Sequence, residues 1–181
     1  MSSWKLYQAV RACSAAATGA VRSLRHNPGV VAVPFEYTEV GIATLGQVAS
    51  AESLRPLVVT TGGFLKLIEW ALETGLVLRD LEFTDELLSE DAQEIERAVL
   101  SLRDGGSLQP LKALLTDLTR RESIVVRKAT FWIEGDYDGG RIRFSIYNNG
   151  ILSSTGGEET LEAADLALSM LGHAAVGRMT P

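Results

Sequence analysis

The chain has 181 residues, 46% of them apolar and 22% charged, an ordinary globular composition with enough material for one sizeable core. Its net charge of −6 argues against nucleic-acid binding by the domain as a whole. No run of about 18 apolar residues is present to make a membrane-spanning helix. The single cysteine, Cys13, cannot close an internal disulfide, which fits a reducing compartment and leads us to expect a cytoplasmic protein.

The charge is segregated. Residues 1–35 hold Lys5, Arg11, Arg22 and Arg25 and no acid, a net of +4; residues 69–96 hold ten acids and one base, Arg79, a net of −9. A basic end and an acidic middle attract each other within a molecule or between copies. Arg11, Arg22 and Arg25, with Asp85, Glu86, Glu90, Asp91 and Glu94, are therefore the candidate interaction surface. Residues 1–28 also resemble a mitochondrial or plastid transit segment in being acid-free and containing Arg and Ser. An ordinary first helix with a basic face explains the same composition and is the reading preferred.

In chain order, Leu6, Val10, Cys13, Ala17 and Val21 recur at spacings of three and four and predict a helix over 3–25, ended by Asn27-Pro28-Gly29. Residues 30–42 are β-rich, and Pro34 removes a ladder donor, so an edge or bent strand is expected. Residues 44–54 read as a short helix or a loop. Leu57–Val59 reads as a short buried strand. Thr60-Thr61-Gly62-Gly63 is a turn, and Phe64, Leu67, Ile68, Ala71 and Leu72 follow at helical spacing up to Gly75. Residues 76–83 predict a strand. Thr84 or Ser89 caps a helix running to about Arg103, with Asp85, Glu86, Glu90 and Asp91 near its start, where the dipole favours acids. Ser107 caps a further helix bearing Leu111, Leu114, Leu115 and Leu118. Strands are expected over 123–133 and 141–147, then a turn at 148–150, a short strand at 151–153 and a last helix at about 158–171. The fold class is α+β: a small, mainly antiparallel sheet with helices packed on it and helices at both chain ends. We expect a single domain over 1–181, with residues 104–107 as the place for a subdomain boundary.

Chemical signals are sparse. Glu134, Asp136, Asp138 and Gly139 match the opening of a calcium loop, but its twelfth position is Ser145 and the flanks are strands, so a hairpin is expected rather than a metal site. Beyond that loop, Arg141, Arg143 and Tyr147 alternate outward beside Arg127 and Lys128, a basic and aromatic face suited to phosphate or carboxylate. The turn Thr60, Thr61, Gly62, Gly63 with Lys66 is a second candidate anion site, since backbone N–H groups before a helix can cradle an anion. It lacks the spacing of a phosphate loop. His26 and His173 form no ligand pair, Glu69 and Glu73 have no histidine beside them, and no nucleophile elbow occurs.

The expectation is a non-enzymatic protein-interaction protein, such as an assembly subunit, adaptor or regulator, that forms a homo-oligomer. Its partner would be another protein or itself, with no specific nucleic acid, membrane span, cofactor or metal. The alternatives are a small anion- or ligand-binding domain, an enzyme with few signposts, and a structural component of a virion or secretion machinery.

Overall fold

The computed structural model describes residues 2–10, 21–24, 27–133 and 142–155. The elements run β1 (Ser2–Ala9), β2 (Arg22–Leu24), β3 (Asn27–Phe35), α1 (Glu39–Ala51), β4 (Leu54–Pro56), α2 (Thr61–Glu73), β5 (Val77–Phe83), α3 (Ser89–Arg103), α4 (Gln109–Glu122), β6 (Val126–Ile133), β7 (Ile142–Tyr147) and β8 (Ile151–Ser154). The strands form one antiparallel sheet in the order β2-β3-β1-β8-β7-β6-β5, with β4 added beside β1. The architecture is α+β, as expected.

The N-terminal helix is not what the chain forms. Residues 2–9 are β1, near the middle of the sheet, and residues 22–24 are β2 at one edge. Leu6 and Val10 satisfy a helical spacing, but Trp4 and Leu6 also alternate with Ser3, Lys5 and Tyr7. The partners decide for the strand: β1 pairs with β3 over Ser3–Gln8, with β8 over Ser2–Lys5 and with β4 over Tyr7–Ala9. Residues 11–20 of the expected helix, and the expected helix at 158–171, lie outside the described residues.

Other corrections are smaller. The β3 strand is flanked by β2 and β1 rather than lying at an edge; Pro34 falls near its end, beyond the last β2 pair. Residues 39–51 are a full helix, with the Thr38 side chain accepting from Gly41 N at 3.0 Å. The strand expected at 57–59 is displaced to 54–56. Neither Thr84 nor Ser89 caps α3; the Thr84 hydroxyl instead latches β5 to β6, accepting from Val125 N at 3.3 Å.

The two faces of the sheet are covered differently. Trp4, Leu6, Leu78, Ala129, Phe131, Phe144, Ile146 and Leu152 point to the main core, where Phe64, Leu67 and Ile68 of α2, Ile95, Val99 and Leu102 of α3, and Leu111, Leu115 and Leu118 of α4 meet them. These helical residues recur every three or four positions, which puts them on one stripe of each helix. On the opposite face, Tyr7, Val31 and Val33 pack under Leu45, Val48 and Ala49 of α1. That helix has no fully buried residue.

One joint holds the centre. Leu6 lies between the end of the β8 pairing and the start of the β4 pairing. Its N–H goes to Gly150 O at 2.8 Å, and its carbonyl accepts from Leu57 N at 3.1 Å. Val59 N donates to Asn148 O at 2.7 Å, so residues 57–59 strap β1 to the β7–β8 turn. Gly150 has φ of +78°, and a Cβ there would overlap the Leu57 carbonyl. Gly75 has a similar φ, +76°, but open space around it. Gly150→Ala should therefore lose clearly more stability than Gly75→Ala, about 3 kcal/mol against about 1 kcal/mol, because only the first adds a backbone clash to the strain of a positive φ. Urea denaturation of both variants checks this; equal losses would contradict the joint.

Candidate functional site

The two ends of the sheet differ in charge. Arg22 is exposed on β2, at one edge. Arg11 and Arg25 lie outside the described residues. At the other edge, β5 carries Asp80 and Glu82 and leads into α3. Asp85, Glu86, Glu90 and Glu94 are exposed there, and Asp91 is partly so. Between β5 and α3 lies a groove of about 300 Å³ with an apolar floor that includes Leu81, Phe83, Ile95 and Val99, lined also by Arg79, Asp80, Glu96 and Arg103. Leu88, 67% exposed, stands on the connection beside it. The Arg103 guanidinium donates to Leu78 O at 3.1 Å and also to Arg79 O, closing the start of the β5 edge. Groups of this kind protect an edge from uncontrolled pairing.

The turn before α2 is placed as a helix cap. Thr60 Oγ1 accepts from Gly63 N at 3.2 Å, and Thr61 Oγ1 is 3.1 Å from Thr119 Oγ1 on α4. Gly62 lies between them, and Lys66 pairs with Glu69 at 3.1 Å on the exposed side of the helix. The turn's donor and its nearest cation are thus engaged locally. The carboxylate loop of Glu134, Asp136 and Asp138, together with Arg141, lies outside the described residues.

Arg143 is exposed on β7, directly across from Trp132 on β6, whose ring carries the Arg79 guanidinium 4.4 Å from its centroid. This belongs to a wider polar field on the face away from the main core. Register places Ser3 opposite Ser153, Ser153 opposite Ser145 and Ser145 opposite Thr130, a row of hydroxyls across β1, β8, β7 and β6. All four are buried. Ser3 and Ser153 oxygens are 3.4 Å apart, and those of Thr130 and Ser145 are 3.3 Å apart. Buried hydroxyls need such partners, because stripping water from an unpaired one is unfavourable.

Cations and phenols flank the row. Lys5 donates its ammonium to Asn149 O. Lys128 pairs with Glu82 at 2.6 Å and sits 5.8 Å from the Tyr147 ring centroid. Tyr37 stands just before the α1 cap. Burial raises its phenol above the usual range; hydrogen bonding with Ser153 acts against this, and nearby Tyr147 adds to it. Burial also raises the Tyr7 phenol and lowers the Lys5 ammonium, in each case favouring the neutral form. Sequence reasoning identified Arg143, Tyr147 and Lys128 but missed Ser3, Lys5, Tyr37 and Ser153. The alternation of Ser3 and Lys5 with Trp4 and Leu6 was the available signal.

Among the described residues no His/Cys/Asp/Glu group is arranged to hold a metal, and no helix is long and apolar enough to cross a membrane. Comparison with protein-family models, curated proteins and solved structures found no match to this chain.

The depressed Lys5 value has a measurable consequence. The unfolded chain binds more protons than the folded one between that value and the ordinary lysine pKa, so Lys5 makes stability rise with pH across that interval. The raised Tyr7 and Tyr37 phenols act oppositely: above the ordinary tyrosine pKa the unfolded chain loses their protons first, and stability falls. Lys5→Met should flatten the alkaline rise and leave the fall at higher pH in place. Thermal midpoints recorded across the alkaline range test it, and an unaltered profile would refute the assignment.

Proposed function

We propose that this is a non-enzymatic interaction protein that associates with copies of itself head to tail, the basic β2 edge of one copy meeting the acidic β5–α3 edge of the next. The observation that carries the reading is Arg22, exposed at the β2 edge, with the exposed acids Asp85, Glu86, Glu90 and Glu94 beside the opposite, β5 edge of the same sheet. Seven strands in sequence set these edges about 30 Å apart, since neighbouring strands are about 4.8 Å from each other. The Debye length at physiological salt is about 8 Å. Attraction between the two ends is therefore largely screened within a molecule and becomes useful only when two molecules meet.

The groove beside β5 supplies the non-electrostatic part. It offers an apolar floor to a partner; Arg79 and Arg103 balance Asp80 and Glu96 in its lining, so selection of a basic partner falls to the exposed Asp85, Glu86, Glu90 and Glu94 beside it. A contact of this kind joins two different surfaces, so it closes into a ring or continues as a filament. An assembly subunit, including a structural component of a larger machine, would use it in this way.

Arg22→Glu should shift the mass distribution toward the 19.5 kDa monomer in light scattering at physiological salt. Adding Glu90→Arg and Glu94→Arg to the same chain should restore association. Mass distributions unaffected by Arg22→Glu would end the proposal.

A further inference from the structure

The hydroxyl row is drier than the described helices explain. Ser3, Ser153, Ser145 and Thr130 are only 4–7% exposed. Yet α2, α3 and α4 pack on the other side of the sheet, and α1 covers the β1–β3 end of this side. Side chains of a strand stand roughly perpendicular to the sheet. Short ones on an open face therefore stay wet, because taller neighbours stand beside them and not over them. We propose that this face is a docking surface whose occupant is the chain's own segment 158–171, which lies outside the described residues.

Shape comes first. The row is the floor of a trough. Register puts Lys5, Ile151, Tyr147 and Lys128 along one side of it, and Arg143 and Trp132 along the other. Crossing from β1 to β6 takes three strand spacings, about 14 Å. The helix that the sequence predicts over 158–171 would be about 21 Å long, enough to cover the row. Its Leu161, Ala164, Leu168 and Leu171 recur at spacings of three and four and share one stripe. Alanine in that stripe allows close approach to a floor of short side chains. Ile151, Tyr147 and Trp132, each partly buried, offer the leucines apolar surface along the walls.

Charge comes second. Glu158, Glu159, Glu162 and Asp165 are the only charged residues of the segment. On this face β1, β8, β7 and β6 present Lys5, Arg143 and Lys128 and no carboxylate. Connection comes third. Thr155 N donates to Arg143 O at 3.0 Å, and Thr155 Oγ1 accepts from Arg143 N at 3.1 Å. The chain is thus pinned beside an exposed cation of this face, and Gly156-Gly157 next in sequence permits a reversal. A segment tethered so close meets the face at an effective concentration on the order of millimolar, which favours it over a second copy. With this face occupied from within, contact between copies is left to the edges of the sheet.

Thiol labelling of the full chain tests the assignment. In a Cys13→Ser background, Ser145→Cys puts a thiol on the floor of the trough, and Leu88→Cys puts one at a position 67% exposed. Ser145→Cys should react with an aromatic disulfide at least about tenfold more slowly than Leu88→Cys, because a covered group reacts only through local opening. Its rate should not depend on protein concentration. Adding Leu161→Asp and Leu168→Asp should remove most of the difference. Adding instead Glu158→Lys, Glu162→Lys and Asp165→Lys, which keeps every leucine, should also speed the reaction; cooperative thermal melting shows which variants remain folded. Equal rates for Ser145→Cys and Leu88→Cys would overturn the proposal, and so would protection that persists in every folded variant of the segment. Protection that grows with protein concentration would overturn it as well, by assigning the face to a second copy.

Discussion

The pairing of β1 is the constraint on which the rest of the molecule depends. Eight residues near the N-terminus meet β3 on one side and, in succession, β8 and β4 on the other. Their side chains alternate without interruption: Trp4 and Leu6 enter the main core, and Ser3, Lys5 and Tyr7 face the other way. A shift of one residue would exchange the two sets. It would turn a lysine into the core beneath α2 and present a tryptophan to the polar face. The burial of Trp4 and Leu6 and the pairing of Ser3 with Ser153 thus oppose the same slip from opposite faces.

The two faces then divide the work. One is apolar and gains from area removed from water; a buried Phe such as Phe131 or Phe144 contributes on the order of 3–5 kcal/mol relative to Ala. The other is a field of hydroxyls that gains little net energy but must be satisfied once buried. Matching hydroxyls across four strands satisfies them in pairs and allows a polar surface to sit on a well-packed sheet. The α1 helix covers only the β1–β3 end of this second face, through Leu45, Val48 and Ala49. Val40 and Ile42 on the same helix remain largely exposed.

The sheet is also what converts charge segregation in the chain into geometry. Residues 1–35 and 69–96 are blocks of opposite sign separated by residues 36–68, and a two-stranded pairing of them would have cancelled the charges. Instead five strands lie between β2 and β5. Lys5, which belongs to the basic block by sequence, is withdrawn to the interior of the sheet and contributes to the polar face rather than to an edge. The groove beside β5 is partly closed by Arg103, one of two bases on a helix richer in acids, whose role is to hold the Leu78 and Arg79 carbonyls.

By itself the sequence determined the helices α2, α3 and α4 with their buried stripes, the antiparallel pair β6 and β7 with Phe144 and Ile146 inward, and the position of the acidic block. In those segments one hydrophobic period is clear, and the residues that recognise one another are close in the chain. Only the tertiary structure decided that residues 2–9 are a strand, because Leu6 and its neighbours satisfy both a helical and an alternating period. Their pairing partners on β8 lie about 150 residues away. The hydroxyl row was illegible for the same reason. Its members are single Ser and Thr residues on four strands, none informative alone, and only their register makes them neighbours. Tyr37 joins them because β3 ends where it does and the chain turns into α1 at Thr38, a turn that local composition does not specify.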